Sequence, residues 1–172
     1  MEFNEFCDGL DDDHIPAVVD NIIKYLELVG IVNNRKIVDG MIVPELFVGN
    51  STPTMTIREY VEHYVTHFDC NLVCHVIAYI YMQRVIVDGV VCHNGMDMIV
   101  SQCSIHRIYC IALLIACKYV EDDVFTNTYY AQVGGITLHE LNTYEVMFIQ
   151  MLKYNAYVPL AVLDEHINTM TA

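Results

Sequence analysis

The segment Ser104-Ile105-His106-Arg107-Ile108-Tyr109-Cys110-Ile111-Ala112-Leu113-Leu114-Ile115-Ala116-Cys117-Lys118-Tyr119 holds the longest apolar run of the chain, Ile108 to Cys117, bounded by Arg107 and Lys118. The run is well short of the roughly 20 residues that a membrane span needs. Drawn as a helix, it is apolar on nearly every side, and a helix without a polar face must be enclosed by others. It predicts the central helix of a bundle and, with that, an all-α domain.

Toward the C-terminus, Thr126 to Gln132 reads as a short helix stopped by Gly134-Gly135. Thr137 with Glu140 forms a capping box that opens a helix running to about Lys153, and Pro159 to Met170 adds a short terminal helix. Toward the N-terminus, Asn71 to Val87 predicts a helix closed by Asp88-Gly89, with Val85 to Val91 β-branched enough to compete as a strand. Thr56-Ile57-Arg58-Glu59 is a second capping box, followed by the apolar stripe Ile57, Tyr60, Val61, Tyr64, Val65 and Phe68. Between Ile31 and Pro53 the turn signals Asp39-Gly40, Pro44 and Gly49 predict a linker with a hairpin at Asp39-Gly40. Ile15, Val18, Val19, Ile22, Ile23, Leu26 and Val29 keep helical spacing, so a leading helix is expected, capped by Asp13 and ended by Gly30. The organisation is an acidic head, helix and linker over 1–52, a helical domain over 53–158 and a tail over 159–172.

The chain has 172 residues, 55% of them hydrophobic, which is one domain with a substantial core. Its formal net charge of −14 repels phosphate backbones and anionic lipid, so neither nucleic acid nor a membrane is an expected partner. The acidic start Met1-Glu2-Phe3-Asn4-Glu5 lacks the basic and apolar regions of a secretory signal, which places the protein inside the cell, in nucleus or cytoplasm. Seven cysteines with no Cys-x-x-Cys pair fit reduced thiols, and Cys103, Cys110 and Cys117 recur at seven-residue intervals as small hydrophobes.

Two charges fall where the pattern asks for apolar residues. Lys118 ends the central helix, and Glu145 lies inside the stripe Leu138, Leu141, Phe148 and Leu152. They can satisfy one another or together hold an outside group; alternatively Lys118 snorkels past the helix end while Glu145 faces water. The loop Glu121-Asp122-Asp123 is either a solvated turn or a fixed acceptor for a partner's arginine. His63, His67, Cys70, Cys74 and His75 cluster in sequence, with His63 and His67 at i, i+4. A helix boundary divides them and no glutamate completes a His-Glu-x-x-His motif, so no metal site is assigned. Nucleophile elbow, Walker loop and dinucleotide fingerprint are all missing, so no catalytic residues and no cofactor are expected. The sequon Asn50-Ser51-Thr52 is read as chance.

Ser104-Ile105-His106-Arg107, Ala116-Cys117-Lys118-Tyr119, Asn127-Thr128-Tyr129-Tyr130-Ala131-Gln132-Val133-Gly134-Gly135-Ile136 and Glu140-Leu141-Asn142-Thr143-Tyr144-Glu145 follow one another in an order and spacing that resembles the cyclin box of phosphate-pathway cyclins, the P-type and U-type. The strong match covers about residues 100 to 158, and a weaker one reaches back to Pro53. The resemblance implies five box helices over 56–68, 71–87, 102–119, 126–133 and 137–153, without room for a second box. It implies a regulatory subunit, not an enzyme, that binds and activates a cyclin-dependent protein kinase. It places the family's kinase-contacting Lys-Glu pair on Lys118 and Glu145, and a flanking apolar patch on Ile115, Tyr119, Ile149 and Tyr154. Asp122 is then a candidate acceptor for a kinase arginine. A cyclin-fold adaptor that activates no kinase is the alternative. One departure is Gln83 in Tyr81-Met82-Gln83-Arg84, where the family has an aspartate, leaving an arginine such as Arg58 short of a partner; Gln132 replaces a lysine.

Overall fold

The computed structural model describes residues 10, 12–38, 47 and 53–172. A 3-10 turn, Asp12–His14, leads into helix α1, Ile15–Val38. Helices α2, Ile57–His67, and α3, Leu72–Val85, follow; the hairpin of β1, Val90–His93, and β2, Met96–Ile99, precedes α4, Ile105–Val120. The chain closes with α5, Asn127–Gly134, α6, Leu138–Met151, and α7, Leu160–Thr171. The fold is all-α apart from that hairpin.

Helix α4 runs through the middle, with every residue from Ile105 to Cys117 buried except Arg107. α3 is nearly as enclosed, and the two pack on one another more extensively than any other pair of helices. Both capping boxes form. Thr56 Oγ1 accepts from the Glu59 amide at 3.2 Å while Glu59 Oε2 accepts from the Thr56 amide, and Thr137 with Glu140 repeats the exchange. These returns satisfy helix-start amides that nothing in the helix can reach.

Gly134-Gly135 does two jobs. Gly135 takes φ 65°, the left-handed cap that stops α5, and a Cβ on Gly134 would lie 2.7 Å from Cys110 Sγ. The first needs backbone freedom and the second needs room, which lets α5 lie against α4.

Several expectations are corrected. α1 does not end at Gly30 but continues to Val38, so residues 31–38 of the expected linker are helical; Gly30 serves instead to admit Gln102, whose Cγ would be 2.9 Å from a Cβ there. Asp13 sits inside the 3-10 turn and is not the residue flanking α1. The Val85–Val91 segment divides: Val85 ends α3, and only Val90 and Val91 enter β1. The hairpin turns at Asn94-Gly95, with φ 52° and 75° as a tight antiparallel turn requires, and pairs Val91 with Met98 on its buried face. Arg58 is not short of a partner, since it reaches Asp20 at 3.0 Å and Glu62 at 3.6 Å; Gln83 Oε1 lies 3.2 Å from His166 Nε2 of α7. The hairpin expected at Asp39-Gly40, Cys7 and the Asn50-Ser51-Thr52 sequon lie outside the described residues.

Candidate functional site

Lys118 stands in the last turn of α4, and Glu145 lies midway along α6, facing it. Lys118 Nζ donates to Glu145 Oε1 at 2.6 Å, and Asn127 Nδ2, at the start of α5, donates to Glu145 Oε2 at 3.0 Å. The same Asn127 nitrogen donates to Asn142 Oδ1 at 2.8 Å. The glutamate side chain is only 14% exposed and held on both oxygens, whereas the lysine is 35% exposed. Snorkelling past the helix end into water is therefore not the arrangement. An ion pair with one deep, braced member and one open member can still engage a further polar group from outside.

Beside the pair, Ile115, Lys118, Tyr119, Ile149, Leu152, Tyr154 and Ala156 line a shallow cavity of about 260 Å³. All four apolar residues expected to flank the pair, Ile115, Tyr119, Ile149 and Tyr154, are in that wall. Tyr154 is 75% exposed, and its position follows from the way α6 ends. Lys153 and Tyr154 take φ 54° and 58°, and the Tyr154 amide returns to the Ile149 carbonyl at 3.0 Å. This left-handed pair folds the chain back toward the end of α4. Asp122 lies apart from the cavity wall, exposed on the loop after α4.

A family model described as Cyclin matches residues 35–156. The chain belongs to the cyclin family. This cyclin is 27% identical over 158 residues to Cyclin-U2-1 of Arabidopsis thaliana, covering 91% of this chain and 68% of the relative. It is 30% identical over 120 residues to Cyclin-P4-1 of Oryza sativa subsp. japonica, covering 70% and 54%. It is also 27% identical over 121 residues to the PHO85 cyclin-like protein psl1 of Schizosaccharomyces pombe, covering 70% and 48%. Similarity to U-type and P-type cyclins agrees with the resemblance read from Tyr129 to Ile136. The cyclin spans about half to two thirds of the length of these relatives. Its matched region takes in the Lys118–Glu145 pair and the whole cavity wall.

Asn127, Asn142, Leu152 and Ala156 join the site of this cyclin, although on sequence alone none of them has a role in it. Asn127 carries a local clue, a polar amide immediately after the Thr126 cap, but its aim at Glu145 depends on how α5 crosses α6. The acidic loop is not uniformly solvated: Glu121 turns inward, where Oε1 accepts from the Asn71 amide at 2.8 Å and from Cys74 Sγ at 3.4 Å. Asp122 and Asp123 are exposed. His63 and His67 do not join Cys70, Cys74 and His75. Their rings pack on one another at 4.4 Å, and His63 Nε2 meets the Val133 carbonyl. Among the described residues, no helix is long and apolar enough to cross a membrane.

Proposed function

We propose that this cyclin is the regulatory subunit of a cyclin-dependent protein kinase and docks through the face built by the ends of α4 and α6. The observation that carries the proposal is the braced Lys118–Glu145 pair set directly beside an apolar wall that includes the exposed Tyr119 and Tyr154. Aromatic anchors next to a partly desolvated charge pair are the composition of an interface hot spot. The subunit contributes no chemistry of its own. Its action is positional: bound against the kinase C-helix, it holds that helix inward, completes the kinase's own Lys-Glu ion pair and frees the activation loop. Thermodynamically it activates by binding the active conformation more tightly than the inactive one. The formal charge of −14 favours a basic protein partner over nucleic acid or an anionic membrane, and speeds association at low salt. The complex works inside the cell, in nucleus or cytoplasm. Exposed Asp122 accepts a kinase arginine near the activation segment.

The test is affinity capture from lysate of the source cell with the wild type beside a folded Lys118→Glu, Glu145→Lys double variant, followed by a protein-kinase assay of the bound fraction. Activity retained by the wild type and lost by the variant supports docking through the pair. Equal activity with both moves the interface elsewhere, and no kinase with either leaves a cyclin-fold adaptor as the function. Asp122→Ala is expected to lower kinase affinity or activity while leaving the fold intact; unchanged values remove Asp122 from the interface.

A further inference from the structure

At the Lys118 turn, from residues that are not part of the cavity wall, three thiols converge. Cys70 precedes α3, Cys74 lies in its first turn, and Cys117 lies in the last turn of α4. Their Sγ atoms all fall within 4.8 Å of one another, the only such group of potential metal donors among the described residues. Cys74 and Cys117 are buried, while Cys70 is half-buried and leaves a way in. A tetrahedral zinc ion with Zn–S bonds of about 2.3 Å separates two sulfurs by about 3.8 Å, so the triad needs to contract by no more than about 1 Å.

Two further groups frame the triad. Glu121 Oε1, held by the Asn71 amide, stands 3.4 Å from Cys74 Sγ but is not one of the donors that all lie within 4.8 Å of one another, so its carboxylate has to swing toward the other two sulfurs to complete a tetrahedron. His75 Nε2 stands 3.7 Å from Cys70 Sγ, while its Nδ1 lies 2.8 Å from the hydroxyl of Tyr109, which is fully buried. With the Tyr109 hydroxyl donating to Nδ1, the protonated Nε2 donates to the Cys70 sulfur. That is the kind of outer partner that orients a ligand and stabilises its charge. The spacing repeats as well: Cys70 and Cys74 are four residues apart across the start of α3, and Cys117 and Glu121 are four apart across the end of α4.

We propose that Cys70, Cys74, Cys117 and Glu121 form a structural zinc site that ties the start of α3 to the end of α4, one residue from Lys118. Three soft thiolates select zinc over hard cations, and four protein donors leave no open position for catalysis. Binding displaces the thiol protons to solvent, so affinity falls as the pH is lowered. The site owes nothing to the kinase-docking reading and is tested without a kinase.

The full chain is purified under reducing conditions without chelator, and its zinc content is measured beside a cobalt(II) titration of the chelator-stripped protein. The expected result is one zinc per chain, and a cobalt complex with tetrahedral d–d bands and a thiolate charge-transfer band of three-sulfur intensity. Cys117→Ser and Glu121→Gln are expected to weaken cobalt binding by about tenfold or more, while Cys92→Ser and Cys103→Ser, outside the cluster, leave it unchanged. Circular dichroism of Cys117→Ser matching that of the stripped wild type separates ligand loss from misfolding. A folded, reduced wild type with neither zinc nor the charge-transfer band overturns the site, as does a Cys70–Cys117 disulfide in the freshly isolated chain. Full affinity in Glu121→Gln with loss in His75→Gln overturns the assignment of Glu121 as fourth ligand.

Discussion

Glu145 is more than one end of an ion pair, because two side chains from two helices hold its two oxygens. Removing either brace frees the carboxylate to turn toward water and blurs the surface that Lys118 presents. Asn127→Ala is therefore expected to weaken kinase capture several-fold while costing only about 1 kcal/mol in stability, the worth of one partly exposed hydrogen bond. Tyr154→Ala separates docking from folding more cleanly, since the ring is mostly exposed. It should cost about 2 kcal/mol of kinase binding, roughly 30-fold, with an unchanged unfolding temperature. Titration calorimetry and thermal melts on the same preparations check both. The placement of Lys118 and Glu145 was legible in the sequence because each breaks an apolar pattern. Asn127 was not, since a polar residue at a helix start breaks nothing.

Among the elements, α5 shows how a local signal and a packing requirement can occupy neighbouring residues. The Gly134-Gly135 stop is visible in sequence, but the crowding of Gly134 against Cys110 appears only once α5 lies on α4. Gly134→Ala is expected to destabilise the domain by about 1–3 kcal/mol, the cost of overpacking a buried contact. Gly135→Ala should cost about 1–2 kcal/mol for a left-handed residue with a Cβ. A Gly134→Ala, Cys110→Ala pair recovers part of the loss only if the sulfur contact is its cause, and urea denaturation of the single and double variants decides. The Asn94-Gly95 hairpin is the element the sequence reading missed, although Asn-Gly is a strong turn signal. Its strands are only four residues each, and the preceding helix pattern of α3 runs up to them. The reverse error occurred at Gly30, where a stop signal was overridden because Gln102 occupies the space and the helix gains its packing from α2 and α7.

Across the whole molecule, His106 is one group that couples stability to acid. Its ring is buried and stacked on Tyr60 at 4.6 Å, and burial, helped by neighbouring Arg107, pushes its pKa down from 6.5 to about 4. Between those values the unfolded chain binds a proton that the folded chain refuses, so stability falls as pH drops through that window. The loss amounts to on the order of 3 kcal/mol by the lower limit. The capping glutamates Glu59 and Glu140 have carboxyls lowered by their threonine partners, so their contribution is also lost on acidification, below the ordinary carboxylate range. In urea unfolding between pH 7 and pH 5, wild type should lose on the order of 2 kcal/mol more stability than His106→Phe, which keeps a ring against Tyr60 but has no proton to bind. Parallel losses in both would assign the acid sensitivity elsewhere.

What the sequence determined by itself is whatever a helix writes along its own length. Capping boxes, a stripe every three or four residues and an all-apolar run specify each helix from contacts within it, and they suffice for the all-α architecture and for α4 at its centre. They also expose Lys118 and Glu145 as misfits. Only the tertiary structure decided which distant side chains meet. Cys117 reads as one more small hydrophobe in a buried helix, and Cys70 and Cys74 as residues beside a histidine pair. Glu121 reads as part of a solvated loop. The three thiols converge through the crossing of α3 and α4, and Glu121 reaches Cys74 through the way the chain leaves α4 and the Asn71 amide that draws it inward. Periodicity specifies which face of a helix is buried; the partner it meets there is set by the packing of the whole chain.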